Sequence, residues 1–179
     1  MLSCSYYSGS YIGEKRKRIG FEDDGKNKEL VSRAKEVIEK ILYITLATSD
    51  TKANPWNSPV YSAFDKNYTF YWISWTENQH SKNIRENENV FVVIYDSTVP
   101  ESTGFGVYMK GKAYQLGLKD SREILKALKL LYQRKNKKIR TLKEFLGIFP
   151  RRIYKFVPGQ VWVNGDGNII GFPPVLERA

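Results

Sequence analysis

Cysteine and histidine are almost absent from this chain. Cys4 stands alone, so no intrachain disulfide can form, and with His80 as the one histidine there is no His/Cys cluster for a zinc site. The opening MLSCSYYSGSYIGEKRKR lacks the apolar core of a signal peptide, and no run of about 18 apolar residues is present to span a bilayer. These absences predict a soluble, cytoplasmic protein with no membrane partner. Neither GxGxxG nor GxxxxGK[ST] occurs, which excludes the phosphate-cradling loops of Rossmann and P-loop proteins. Internal repeats are also missing. Acid is in deficit: 29 Lys and Arg against 19 Asp and Glu leave a net charge of +10. That surplus favours phosphorylated ligands, nucleic acid or an anionic membrane surface, without choosing among them. It is concentrated in Lys15 to Arg18 and Arg134 to Arg140, with Arg151 and Arg152 following.

What remains is ample for a fold. The 179 residues, 41% hydrophobic and 14% aromatic, suffice for one domain with a substantial core. Residues 1–25, rich in Ser, Tyr, Gly and charge, show no sustained period and read as an N-terminal arm, leaving 26–179 as the folded domain. Leu30, Ala34, Val37, Ile38 and Ile41 recur at helical spacing over Asn27 to Ile41. Strand patterns follow at Leu42 to Thr48, Asn57 to Ala63, Tyr68 to Trp75, Val90 to Tyr95 and Gly106 to Leu116. Pro59 cannot donate a ladder hydrogen bond, so its strand is at an edge or bulged there, with backbone groups free for a ligand. Val90 to Tyr95 is apolar on both faces and reads as central. A helical insertion near 120–147 holds two capping-box patterns, Asp120 with Glu123 and Thr141 with Glu144, the second before a short helix stopped by Gly147. Ile153 to Val157 and Gln160 to Val163 read as short closing strands separated by a Pro158-Gly159 turn, and the tail after Val163 shows no regular pattern. The sum is a mainly β (α+β) chain, an antiparallel barrel of about six or seven strands with peripheral helices.

The stretch YTFYWISWTENQHSKNIRENEN, Tyr68 to Asn89, carries the most chemistry. Alternation puts Phe70, Trp72 and Ser74 on one face and Tyr71, Ile73 and Trp75 on the other. Gln79 to Glu88 then reads as about two helical turns bearing Ser81, Lys82 and Arg85, beside a helix N-terminus whose free N–H groups suit an anion. An aromatic wall next to a hydroxyl and two cations can hold a planar ring and its phosphate. The plain alternative is a core strand followed by solvated surface, with Arg85 paired to Glu86 or Glu88. His80 can donate a proton near such a ring or simply flank the helix. Trp56, Trp72 and Trp75 read as packing residues.

In the order and spacing of LATSDTKANPWNSPVYSAFDKNYTFYWIS, HSKNIRENENV and RRIYKFVPGQVWVN, the chain resembles the FMN-binding split β-barrel family that includes pyridoxamine 5'-phosphate oxidase. The resemblance runs from about Glu36 to Asn164. It implies an FMN cofactor whose ring is contacted by Asn57, Ser58, Pro59 and Val60 and by Ile73 and Ser74. It further implies a phosphate held by Ser81 and Lys82, with Arg85 adding a second cation. Such proteins are typically homodimers with two flavins at the interface, which implies that Trp162 and Asn164 reach the partner's cofactor. Two departures bear on the reaction. The oxidases proper end in an Arg-rich R-L-x-P signature where this chain has RIYKFVPGQVWVN, and Gly106 stands where they carry a ring-contacting Gln.

The reading that follows is a homodimeric FMN oxidoreductase acting on a small substrate or electron donor. A flavin performs the redox chemistry itself, so the lack of a catalytic triad or carboxylate pair is no objection. The deazaflavin F420 in the same barrel, or a barrel that binds flavin without turnover, are alternatives of the same kind. A basic nucleic-acid-binding module is the alternative of another class. Against it stands the placement of the basic clusters, which are not interleaved with the aromatic strands.

Overall fold

The computed structural model describes residues 25–165 and 168–172. The expected arm over 1–25, with Cys4 and the Lys15 to Arg18 cluster, falls, but for Gly25, outside the described residues. Helix α1 (Gly25–Lys40) leads into strands β1 (Tyr43–Ser49), β2 (Pro55–Phe64) and β3 (Phe70–Trp75). Helix α2 (Gln79–Glu86), strands β4 (Asn89–Tyr95) and β5 (Gly106–Gln115), helix α3 (Ser121–Arg134) and strands β6 (Arg151–Gly165) and β7 (Asn168–Phe172) complete the order. Every strand pairing is antiparallel, in the order β3-β2-β1-β4-β5-β6-β7, and β3 also pairs with β6. That last pairing closes β1 to β6 into a six-stranded barrel, with β7 added outside the ring. Among large antiparallel sheets closure is what removes the edges.

Period-two alternation divides the apolar residues between two cores. Ile44, Leu46, Val60, Phe70, Trp72, Val92, Met109, Tyr154 and Phe156 fill the barrel, joined by Ala34 and Ile38 from α1 and Ile84 from α2. On the outside, Ala63, Tyr71 and Ile153 pack against Ile124, Ala127, Leu128 and Leu131 of α3 and against Phe145. Both faces of β3 are therefore buried, which explains its run of aromatics. Arg134, at the end of α3, ties the two layers together: its guanidinium donates to the carbonyls of Ile38, Glu39 and Ile41 at 3.2, 2.8 and 2.9 Å and lies over the Phe64 ring. Those carbonyls belong to the end of α1, where helical partners run out.

The ring is not uniform. β2 pairs with β1 along its whole length, Tyr43↔Tyr61 to Ser49↔Pro55, yet with β3 only from Ser62↔Trp72 to Phe64↔Phe70. Residues 55–61 thus have a strand on one side only. Pro59 lies in this free edge, in unbroken register with Thr45, so the edge reading holds and the bulge reading does not.

Several expectations need correction. The two closing strands are one, β6: Gly111 pairs with Pro158 and Lys110 with Gln160, so Gly159 is the extra residue of a bulge and not a turn. The patternless tail contains β7, paired with β6 from Val161↔Phe172 to Gly165↔Asn168. The capping box expected at α3 is not made; the Asp120 carboxylate accepts from the Gly117 N–H at 2.8 Å, and Glu123 instead meets Lys155 and Tyr71. Thr141 and Glu144 do form theirs, on a four-residue 3-10 turn, Leu142–Phe145, and not on a helix. Gly147 follows with φ of 60°, which suits a residue without a Cβ.

Candidate functional site

Where β2 and β3 part, His80 of α2 fills the gap. Its Nδ1 lies 3.1 Å from Ser58 Oγ on β2 and its Nε2 2.7 Å from Ser74 Oγ on β3. The Trp56 indole N–H donates to Ser58 Oγ at 3.0 Å, and the Asn78 amide donates to Ser74 Oγ at 2.8 Å. One imidazole thereby replaces the missing ladder bonds. Burial holds its pKa below the ordinary histidine value, so the ring is neutral at neutral pH, with one nitrogen donating and the other accepting. Each serine can donate or accept, so either tautomer is satisfied. The expectation that His80 flanks or caps α2 gives way to this: the N-cap is Asn78. A second buried amide, Asn83, donates to Thr48 Oγ1 at 3.0 Å and accepts from Gln79, fastening α2 to β1.

The remaining side chains of α2 diverge, as neighbours on a helix must. Ser81 turns inward and is fully buried. It lies beside Tyr154, whose phenol pKa is raised by burial against the opposing influence of Ser81, Arg85 and Arg152. Lys82 turns outward to Glu77 at 3.4 Å. Ser81 and Lys82 therefore do not point at one spot, whereas Arg85, three and four residues on, shares a flank with each. The Arg85 guanidinium donates to the Thr76 carbonyl at 2.7 Å, and Glu88 is taken by Lys112, so the expected ion pair with Glu88 is not made.

Strand register places the other candidates. Ser58 and Val60 point into the barrel, as does Ser74; Asn57 and Pro59 alternate outward, and Ile73 packs on the α3 side. The outward row containing Pro59 runs through Thr45, Val93 and Tyr108 to Trp162, and the adjacent row links Asn57, Ala47, Phe91 and Lys110. Trp162 stacks on Phe91 at 6.1 Å. Asn164 accepts from the Gly106 N–H and lines a cleft of about 450 Å³ with Val93, Tyr95, Phe105 and Tyr108. Thus one chain gathers Ser58, Ser74, Ser81, Lys82 and Arg85 around α2 and holds Trp162 and Asn164 apart from them on the outer sheet.

Of the tryptophans, Trp72 is a packing residue, fully buried and stacked on Tyr154. Trp56 and Trp75 are instead about half exposed, Trp56 bonded to Ser58 and Trp75 beneath the Arg151 guanidinium. Asn78 and Asn83 escape sequence reading altogether; their one signal is polar residues at helical spacing on the face that should be apolar. Among the described residues no cluster of three or more His, Cys, Asp or Glu is arranged to hold a metal.

Two outward cations one turn apart on α2 and an unpaired strand edge beside that helix suit a ligand with a phosphate and a flat hydrogen-bonding ring. A family model described as pyridoxamine 5'-phosphate oxidase matches residues 30–164. Among solved structures, the chain is similar to the heme storage protein HutZ from Vibrio cholerae, at 18% identity and a TM-score of 0.66, over 76% of this chain and 95% of that one. It is similar to a FAD-binding protein from Mesorhizobium loti, at 16% identity and a TM-score of 0.55, over 74% and 91%. It is also similar to a heme-binding protein from Mycobacterium smegmatis, at 16% identity and a TM-score of 0.60, over 80% of this chain but only 57% of that longer one. At these identities the likeness establishes the fold alone. No curated protein matches the sequence.

Proposed function

The chain belongs to the pyridoxamine 5'-phosphate oxidase family over residues 30–164, and from that premise we propose that it binds FMN and acts as an oxidoreductase on a small substrate or electron donor. The observation that carries the reading is the open edge of β2 beside α2, the helix that bears Lys82 and Arg85, where residues 55–61 have no partner strand on one side. Lys82 and Arg85 neutralise the phosphate in this reading. Lys82 gives up little to do so, since its contact with Glu77 is an exposed ion pair. Ser81 faces inward from both cations, beside Tyr154, so the expected contact of its hydroxyl with the phosphate is not part of this reading. The backbone of Asn57, Ser58, Pro59 and Val60 meets the ring edge, with Ile73 and Ser74 from β3 behind it. His80 acts through Ser58 and Ser74: it positions both strands and presents no free nitrogen.

When bound, FMN supplies the one- and two-electron chemistry, and the chain orients it and limits access. A homodimer completes the site, a second copy offering Trp162 and Asn164 from the aromatic outer face of its sheet. FMN is favoured over heme because the single imidazole of the chain is enclosed between two serines and is not offered to an iron.

The test compares FMN with riboflavin, which has the same ring and no phosphate. Lys82→Ala and Arg85→Ala should each weaken FMN on the order of tenfold to a hundredfold and leave riboflavin unchanged, because a charge-assisted hydrogen bond contributes roughly 1.5 to 3 kcal/mol. Unchanged FMN affinity in both folded variants would place the phosphate elsewhere. Purified protein that is colourless and whose thermal stability responds to neither FMN, FAD nor F420 sinks the flavin reading as a whole.

A further inference from the structure

Residues 134–152 carry eight Lys and Arg against one acid, Glu144. That acid is already engaged by Arg140 at 3.2 Å and by the Thr141 N–H. The cations are not strung out in space. Burial depresses the Lys135 ammonium pKa most, and the nearness of Lys137, Arg151 and Arg140 depresses it further, which places these four cations together with Glu144, on Arg140, as the one acid of the segment. Such a cluster raises a strong positive potential.

Apolar side chains stand in the same place. Ile148 is 97% exposed at the crest of the turn that follows Gly147, Phe149 beside it is 45% exposed, and Trp75 is about half exposed under Arg151. The crest is held in shape, since the Arg152 guanidinium donates to the carbonyls of Gly147 and Phe149 on either side of Ile148. Phe145, on the preceding turn, anchors the segment in the outer core. Ile148 is thus presented to solvent by a braced turn, where burial in this chain gains nothing. An aliphatic tip and an indole ringed by cations match a surface that is anionic outside and apolar just beneath.

We propose that this face docks on anionic phospholipid membranes, with Lys135, Lys137, Arg140 and Arg151 against the headgroups and Ile148 and Phe149 inserted among the acyl chains. No helix among the described residues is long and apolar enough to cross a bilayer. Lying on one requires only a charged rim and a shallow wedge. Nucleic acid would also answer the charge, and Phe149 and Trp75 have faces on which bases stack, but the most exposed group, Ile148, has none and gains nothing there. The face adjoins the end of the open edge of β2, where Lys135 lies over the Tyr61 ring at 4.9 Å, but the inference uses no bound flavin and stands whether or not the flavin reading does.

The test is flotation of the full chain with vesicles of equal parts phosphatidylglycerol and phosphatidylcholine, against vesicles of phosphatidylcholine alone. Binding to the first, absence from the second and release by salt are expected. Lys137→Ala with Arg140→Ala should lower the partition on the order of 25-fold, at about fivefold for each cation near an anionic surface. Ile148→Ser should lower it on the order of tenfold through lost apolar burial. Ile148 supports no core, so this variant folds, and an unchanged circular dichroism spectrum and melting temperature confirm that. No binding to anionic vesicles at low salt overturns the proposal. So does an Ile148→Ser protein that partitions like wild type, or one whose defect is loss of self-association by size-exclusion chromatography. Tight RNA binding that is lost in the Lys137→Ala, Arg140→Ala variant but untouched by Ile148→Ser, with vesicles ignored, would assign the face to nucleic acid instead.

Discussion

Replacing His80 puts the architecture of the split to a quantitative test. His80→Ala removes the contacts to Ser58 at 3.1 Å and Ser74 at 2.7 Å and leaves a void where a buried ring stood. Each hydrogen bond contributes about 1 kcal/mol net and the void costs about 1 to 2 more, so the loss is about 3 to 4 kcal/mol. The figure is not larger because Ser58 keeps Trp56 and Ser74 keeps Asn78 as partners. In a chain of this length that corresponds to a fall of roughly 10 °C in Tm, measured by circular dichroism and checked by urea titration. A Tm within about 2 °C of wild type would refute the claim that His80 bridges the two strands. Acid offers an independent reading of the same residue. Burial holds the folded pKa of His80 below its unfolded value of about 6.5, so the unfolded chain takes up the proton first as pH falls. The stabilisation is therefore complete above about pH 6.5 and is lost progressively below it, towards the folded pKa. With one histidine in the chain, a decline in stability just below neutrality belongs to His80. His80→Gln, which keeps a hydrogen-bonding side chain and loses the titration, should flatten that decline; an unaltered slope would assign it to another group.

Two further substitutions test how the barrel is held. Gly111→Ala would place a Cβ 2.2 Å from the Val157 carbonyl oxygen and 2.7 Å from the Phe156 ring, a clash with backbone that should cost about 3 kcal/mol and appear as a lower urea midpoint; a variant as stable as wild type would show that β5 and β6 are not so close at the bulge. Arg134→Ala should lose about 2 kcal/mol, because one guanidinium nitrogen serves three carbonyls at the end of α1 and the group also covers the Phe64 ring; a variant as stable as wild type would show that the contact does not fasten the two layers.

How far the sequence discloses this molecule depends on which residues speak for themselves. β3 is legible because its two faces enter different cores, so Phe70 and Trp72 alternate with Tyr71 and Ile73 as a strand between two packed layers requires. The central place of β4 follows from Val90, Val92 and Ile94 inside the barrel, with Phe91 and Val93 half-buried outside. Pro158-Gly159 misleads because a proline and glycine that make a turn in isolation also suit a bulge, where one N–H is left over and a missing donor costs nothing. β7 hides because it is five residues long with Gly171 inside it and shows no alternation, although its pairing with β6 is a local hairpin that opens at Gly165↔Asn168. The Asp120 pattern is a true helix-start signal whose carboxylate was claimed by a nearer N–H, that of Gly117. At the candidate site, residue types are visible and directions are not. Ser81 and Lys82 look like a pair in sequence, yet a helix turns about 100° per residue and sends one inward and the other out. His80 is a single letter in a polar run, and its role arises only because β2 and β3 part beside it.

The same geometry bears on how many chains a site of the proposed kind requires. Trp162 and Pro59 occupy one row on the outer face of the sheet, with Thr45, Val93 and Tyr108 between them. Four inter-strand steps of about 4.8 Å separate them by about 19 Å along the sheet, farther than one flavin ring extends. Within a single chain, then, a ring resting on the open edge of β2 is out of reach of Trp162 and Asn164. The outer face between them carries Phe91, Val93, Tyr95, Tyr108 and Trp162, all at least partly exposed. If two copies cover those faces about a twofold axis, each interface residue meets its counterpart's surroundings reciprocally, and what lies 19 Å away along one's own sheet can lie close on the other's. Under the flavin reading, Trp162 and Asn164 therefore act on a cofactor held by the second copy or on none.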